Sequence, residues 1–229
     1  MILKTLHWVD EELILKQKHQ KWLRWIDKIK DEAINIHFVN KVYWELQEVI
    51  RNNDVINKPN EFYAYLHQTY TLSILSLIRR TVKPGKKSIS FIGLLEEMVE
   101  TPKAFNRDDF KAIYLDSIDY FKEKSDEWFD VWSGNNVDYI DPDIIQKDLV
   151  ELRLKVGNCL EHADRNVAHL DKRGTKHPLL HREINDVVAY IFELMNKYHV
   201  LFTGGTIAEP IIGNWKSIFD KAWINKEEE

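Results

Sequence analysis

The sequence predicts an all-α protein, and three observations support this prediction. The 229 residues include only 8 Gly and 6 Pro, so turns are scarce and long helices are favoured over a sheet with many hairpins. Apolar residues recur at helical spacing along most of the chain. Hydrophobic residues make up 44% of the chain, with 8 Trp, 9 Tyr and 10 Phe, which is enough to fill one large core.

The N-terminal half is expected to form three helices. Apolar positions follow helical spacing over residues 10–52, with one interruption expected near 27–31. An Asn-rich loop then separates this segment from a helix over residues 61–80. A basic turn precedes the third helix, for which Ser88 or Ser90 is the expected N-cap.

The C-terminal half is expected to add three long helices and one short one. An amphipathic helix covers residues 107–132 and ends at a Ser-Gly-Asn-Asn turn. Residues 141–143, Asp-Pro-Asp, combine a capping Asp, a Pro at the first helical position and an acid in the first turn. They start a central helix that we expect to reach Leu170. A last long helix spans 179–202, and a short amphipathic piece spans 215–223.

These elements predict one domain of long helices in an up-and-down bundle. Its expected parts are an N-terminal helical extension at 1–60, a core at 61–204 and a C-terminal short helix and tail at 205–229. No internal repeat divides the chain. A single all-α domain over residues 1–229 is therefore the expected architecture.

Composition and charge restrict the class of protein. A net charge of -5 argues against binding nucleic acid through a basic surface as a whole. The single Cys159 excludes an intramolecular disulfide, fits a reducing compartment and is expected to be a small buried hydrophobe. Acidic residues follow the N-terminus closely, and no segment approaches the ~20 apolar residues that span a bilayer. We expect a cytoplasmic protein without membrane contact.

One face of the central helix gathers groups that can transfer protons and bind phosphate. On a helical projection at 100° per residue, an apolar stripe faces the core and a second face is polar. The polar face consists of Lys155, Asn158, His162, Arg165, Asn166, His169 and Arg173. Such a face can be merely solvated, but two imidazoles and a guanidinium on one side of a helix also fit a catalytic or phosphate-binding site.

Three short stretches resemble the HEPN superfamily, and more closely its branch related to abortive phage-infection proteins. They are residues 78–82 (Ile-Arg-Arg-Thr-Val), 88–95 (Ser-Ile-Ser-Phe-Ile-Gly-Leu-Leu) and 163–171 (Ala-Asp-Arg-Asn-Val-Ala-His-Leu-Asp). The resemblance covers residues 62–204. It implies a helical bundle, a symmetric homodimer and a metal-independent endoribonuclease whose site combines polar helices of two protomers. Here the motif is Arg165-Asn166 and His169, with a shorter Arg-to-His spacing than the family pattern.

The residues of this face have distinct expected roles in RNA cleavage to a 2′,3′-cyclic phosphate. His169 is the general acid or base, because an imidazole titrates near neutral pH. Arg165 is the phosphate clamp, Asn166 is an orienting hydrogen-bond donor and His162 is a second proton-transfer group. The predicted substrate-binding cations are Arg79, Arg80, Lys172 and Arg173.

Two alternatives remain at this stage. His177 and His181, with His162, His169 and Asp171 near them, could form a metal site, but the chain lacks the recognised H-E-x-x-H pattern. The other alternative is a non-catalytic HEPN-like module that binds RNA, a nucleotide or a partner protein such as a cognate antitoxin. We assign no metal ligands and no cofactor. The expected partners are RNA, a second copy of the chain and, in a toxin-antitoxin system or phage defence, an antitoxin.

Overall fold

The computed structural model of the protein describes residues 2–134, 138–168 and 172–220, with side chains from residue 11 onward. Regular structure in these ranges is helical, without a β-strand, so the all-α prediction is confirmed. The α-helices are α1 (Ile2–Arg51), α2 (Glu61–Val82), α3 (Phe91–Glu100), α4 (Arg107–Ala112), α5 (Asp119–Ser133), α6 (Pro142–His162) and α7 (His181–Thr203). None of the described helices is both long and apolar enough to cross a bilayer.

The first helix is continuous, so the interruption expected near residues 27–31 is wrong. Ile26 and Ile29 are buried on one side of this stretch. On the solvent side, the amine of Lys30 lies 3.3 Å from the carboxylate of Asp27. Charged residues on an exposed helix face satisfy one another without breaking the helix, and no Gly or Pro occurs there to interrupt it.

The core lies where α1 packs along α7 and where α3 and α2 pack against α6. Its largest fully buried side chains are Trp22, Tyr198, Phe91, Phe105, Phe110 and Phe129. Cys159 is buried in the same core, and burial raises the pKa of its thiol to about 12. The expectation that Cys159 is a small buried hydrophobe is therefore confirmed.

Residues 107–132 form two helices rather than the single helix expected. Asn106 caps α4 by accepting from the backbone N–H of Asp109 at 2.9 Å. The guanidinium of Arg107 then reaches Asp130, with 2.6 Å between nitrogen and oxygen. In one straight helix these residues would lie about 35 Å apart along the axis. The chain instead turns before α5, which lets α4 fold back along it and bury Phe110.

The central helix begins as predicted but changes geometry near its end. Asp141 caps α6 by accepting from the backbone N–H of Asp143 at 2.9 Å. After His162 the chain continues as a π-helical segment, Ala163–Ala168, whereas an α-helix to Leu170 was expected; Leu170 itself lies outside the described residues. Because π-helical hydrogen bonds join residues five apart, the α-helical projection does not hold beyond His162.

The short C-terminal segment returns to α1. Residues Trp215–Asp220 form a 3-10 helix, which corresponds to the first part of the expected piece at 215–223; the remainder lies outside the described residues. The indole N–H of Trp215 donates to Glu45 at 3.1 Å, and the amine of Lys216 lies 3.2 Å from the same carboxylate. This segment therefore packs on the C-terminal half of α1.

Gly204 ends α7 in a left-handed conformation that a side chain would strain. Its φ is +70°, its N–H donates to the carbonyl of Val200, and a Cβ would come within 3.0 Å of Ile113 and 3.1 Å of Tyr114. Gly204→Ala is expected to lower the free energy of unfolding by about 1–2 kcal/mol, measured by urea denaturation. The control is Gly157→Ala in α6, which meets no neighbouring atom within 4 Å and is expected to raise it by about 0.5–1 kcal/mol. Equal effects would contradict the prediction.

Candidate functional site

The end of α6 and the π-helical segment bring three of the four predicted catalytic residues together. His162 is the last residue of α6, and Arg165 and Asn166 lie within the π-helical segment. His162 and Arg165 contact backbone carbonyls of the loop that leads to α7, and Asn166 contacts the His162 ring. His169 lies outside the described residues. The polar grouping expected from the sequence is thus present for His162, Arg165 and Asn166.

Both ring nitrogens of His162 have partners. Its Nε2 lies 2.7 Å from the backbone carbonyl of His177, and a carbonyl only accepts, so Nε2 carries the hydrogen. Its Nδ1 lies 3.3 Å from the side-chain amide of Asn166, which donates to it when the imidazole is neutral. The side chain of Asn166 thus contacts His162, while its predicted role as an orienting donor in RNA cleavage stays a prediction.

Arg165 joins the π-helical segment to the following loop. Its NH1 donates to the backbone carbonyl of Gly174 at 2.5 Å and lies 2.7 Å from the Glu161 carboxylate. Glu161 also accepts from the backbone N–H of Lys176 at 3.1 Å. Only 20% of the Arg165 side chain is exposed. Its guanidinium is thus held by one carbonyl and one carboxylate, both of which a phosphate could replace as acceptors.

The two predicted substrate-binding arginines of α2 pair with carboxylates in different parts of the structure. Arg79 donates to Asp164 in the π-helical segment, with 2.6 Å between Nε and Oδ1, and Lys83 binds the other oxygen of that carboxylate. Arg80 instead pairs with Glu32 of α1. The structure therefore brings Arg79 to the π-helical segment and directs Arg80 elsewhere.

The two other predicted cations, Lys172 and Arg173, lie in an exposed turn directly after the undescribed residues 169–171. Arg79 and Lys83 add two more cationic side chains at Asp164, in the π-helical segment that precedes this turn. This distribution gives a chain of negative net charge a local set of cations.

Two cations stabilise the ionised form of Asp164. Burial raises the pKa of this carboxyl, but the hydrogen bonds and charges of Lys83 and Arg79 outweigh burial, so the pKa lies below the usual Asp value. The carboxylate is one third exposed and its partners somewhat more. Solvent screening therefore keeps the contribution of each pair to stability small.

Asp164→Asn is expected to lower the free energy of unfolding at pH 7 by about 1 kcal/mol, since it removes two partly exposed ion pairs. A lowered folded-state pKa gives stability that is present above the ordinary Asp pKa and is lost as the pH falls through the lowered value. The difference between parent and variant should therefore vanish in acid. Urea denaturation at several pH values measures it; a difference independent of pH would contradict the assigned pairing.

Polar contacts missed by the sequence reasoning connect α6 to the start of α7. The amide nitrogen of Asn158 lies 3.2 Å from the carboxylate of Glu183, which also accepts from the backbone N–H of Leu180 at 2.7 Å. The three-residue spacing of Leu180 and Glu183 is the available sequence signal, because an acid at the third helical position often binds the N-cap backbone. Asn158 Oδ1 and His181 Nδ1 are buried without a hydrogen-bond partner among the described residues.

The described residues of the alternative metal site, His162, His177 and His181, do not form a set of metal ligands. His177 meets His162 through its backbone carbonyl. Across the described ranges, no three His, Cys, Asp or Glu side chains come together to hold a metal ion. His169 and Asp171, which belonged to that alternative, lie outside the described residues.

Comparisons of the chain with protein-family models, curated proteins and solved structures gave no match. A functional proposal for this protein therefore depends on the chemistry of the site.

Proposed function

We propose that the protein is a metal-independent endoribonuclease of HEPN-like type that acts as a homodimer in phage defence or a toxin-antitoxin system. The proposed fold is an up-and-down helical bundle whose polar helices meet across the dimer. The observation that carries the proposal is the grouping of His162, Arg165 and Asn166 around a π-helical segment that directly precedes His169. π-helical turns occur frequently at functional sites.

In the proposed reaction, the 2′-hydroxyl of RNA attacks the adjacent phosphorus. A general base removes the proton from the 2′-oxygen, the new P–O bond closes the ring and the bond to the 5′-oxygen breaks. A general acid protonates that leaving oxygen, so the products are a 2′,3′-cyclic phosphate and a 5′-hydroxyl. We assign proton transfer to His169, with one copy from each protomer supplying base and acid.

Arg165 stabilises the negative charge that builds on the phosphorane oxygens. A guanidinium remains charged throughout and offers several donors in a fixed geometry. To do so it exchanges the Gly174 carbonyl and the Glu161 carboxylate for phosphate oxygens. Arg79 and Lys83, which meet at Asp164, add positive potential on the α2 side.

His162 has a supporting role in this proposal. Its two nitrogens are occupied by the His177 carbonyl and the Asn166 amide, so it must release one of them before it transfers a proton. While neutral, it fixes the loop at His177 and the side chain of Asn166.

The test is cleavage of total RNA and tRNA by the purified full chain in EDTA. The comparison sets His169→Ala against His199→Ala, a matched histidine of α7 that hydrogen-bonds the Gly205 carbonyl. Circular dichroism verifies that each variant is folded. We expect the parent and His199→Ala to cleave and His169→Ala to be inactive. Equal cleavage by all three would exclude His169 as the general acid or base.

A non-catalytic RNA-binding module is the second candidate, favoured by the internal partners of Arg165 and His162. Side chains that already have acceptors can hold the loop together without taking part in chemistry. A module of this kind would bind RNA, a nucleotide or a cognate antitoxin. Fluorescence anisotropy with labelled tRNA separates the two: binding without any cleavage in EDTA or Mg²⁺ supports the module, and cleavage excludes it.

A further inference from the structure

Two histidines from different helices meet outside the site described above. His67 projects from α2 and His181 is the first residue of α7. Their Nε2 atoms lie 3.2 Å apart and their ring centroids 4.4 Å apart. Neither belongs to the predicted catalytic set, and they are separated by 114 residues in the sequence.

The separation of the two nitrogens matches a shared metal ion. Zn²⁺ binds imidazole nitrogen at about 2.0–2.1 Å, and two such ligands at the tetrahedral angle lie about 3.3 Å apart. From this geometry we propose that His67 and His181 form a binding site for a divalent transition-metal ion of the Zn²⁺ class. The site joins α2 to α7 and is additional to the metal-independent reaction proposed above.

A tyrosine supports His67 in the way that metal-bound histidines require. The Tyr43 hydroxyl lies 3.1 Å from Nδ1 of His67. With a metal on Nε2, Nδ1 carries the hydrogen and donates it to the phenol oxygen, which fixes the ring and its tautomer. Tyr43 is itself immobilised, since its ring stacks on Tyr70 at 3.7 Å and 5° and the Tyr70 hydroxyl donates to Asn40 at 2.5 Å.

Aromatic side chains of α1 and α2 pack against the ring of His181. The indole of Trp44 meets the His181 ring edge-on at 5.8 Å, and Tyr70 lies parallel at 6.2 Å. Burial, followed by the charge of nearby His67, lowers the pKa of His181.

The ligand number sets the expected strength of binding. Described side chains supply a pair of imidazoles here rather than a set of three or more, and His67 is exposed. The remaining positions on the ion are therefore open to water. Imidazole favours Zn²⁺, Cu²⁺ and Ni²⁺ over Mg²⁺ or Ca²⁺, so we expect exchangeable binding of Zn²⁺ and none of Mg²⁺.

The test is isothermal titration calorimetry of Zn²⁺ into the full chain. One site per protomer is expected in the parent and in the controls His177→Ala and His199→Ala. Binding at this site is expected to be lost in His67→Ala and His181→Ala. Tyr43→Phe should weaken it by about tenfold, the effect typical of losing a residue that orients a metal ligand.

His67→Gln is the additional variant that keeps the test valid if an alanine variant fails to fold, because Gln preserves much of the side-chain volume on an exposed position. Zn²⁺ should raise the unfolding temperature of the parent but not of His67→Gln. Absence of Zn²⁺ binding by the parent, or equal binding by the parent and the His67 and His181 variants, would overturn the proposal. The catalytic proposal is measured in EDTA and is unaffected by either result.

Discussion

Arg165→Ala is expected to reduce the rate of RNA cleavage by about 10²–10³-fold, the cost typical of removing one preorganised donor to a developing oxyanion. Arg165 lies four residues before the proposed catalytic histidine in the sequence, and its guanidinium is largely shielded from solvent. Shielding strengthens its electrostatic effect on the phosphate. Single-turnover cleavage of tRNA in EDTA measures the rate. A variant that keeps the parental rate would contradict the role of Arg165.

Three further variants separate a catalytic role for Arg165 from a structural one. Arg165→Lys keeps the charge but loses the planar pair of donors, so we expect it to recover little activity. Glu161→Gln weakens the internal partner of Arg165 and is expected to retain or raise the rate, since the arginine is then released more easily. Arg153→Ala removes an exposed arginine that pairs with Glu96 and should leave the rate unchanged. Loss of activity in Glu161→Gln would indicate that the internal contact itself is required.

Phe91→Ala is expected to give the largest loss of stability, about 3–5 kcal/mol in the free energy of unfolding. Phe91 is fully buried at the start of α3, and its ring meets Tyr198 edge-on with centroids 5.8 Å apart. Truncation leaves a cavity between α3 and α7 that a packed core cannot refill. Leu154→Ala on α6 is the control, because this side chain is 79% exposed and such changes stay within about 0.5 kcal/mol. A loss below ~1 kcal/mol for Phe91→Ala in urea denaturation would contradict the assigned packing.

Local sequence signals predicted much of the fold. The all-α class followed from scarce turn residues and helical spacing, and the start of α6 from the Asp-Pro-Asp signal, which Asp141 fulfils as a cap. Local sequence signals did not predict the features that depend on contacts between distant parts of the chain. The turn between α4 and α5 brings Arg107 to Asp130. A helical projection of residues 107–132 cannot predict this contact, because it assumes one straight helix. The interruption expected near residues 27–31 is absent, because no Gly or Pro breaks α1 there and Ile26 and Ile29 pack into the core.

The sequence predicted only those features of the candidate site that depend on spacing within a single helix. Helical spacing placed His162 and Arg165 on one face, and in the structure both side chains bond to backbone carbonyls of the following loop. The partners that hold Asp164 are Arg79 of α2 and Lys83 directly after α2, both more than 80 residues earlier. Residue spacing within one helix gives no information about such distant partners. The same applies to His67 and His181, which become neighbours only when α2 and α7 pack near α1.

The chemical identity of the RNA ends produced in EDTA tests the central proposal most directly. The purified chain is incubated with tRNA, and the fragments are analysed by mass spectrometry and by ligation assays specific for each type of end. A metal-independent nuclease with an imidazole acid and base predicts 2′,3′-cyclic phosphate and 5′-hydroxyl ends. Ends bearing a 3′-hydroxyl and a 5′-phosphate, or cleavage that appears only when Mg²⁺ is added, would contradict the proposed reaction.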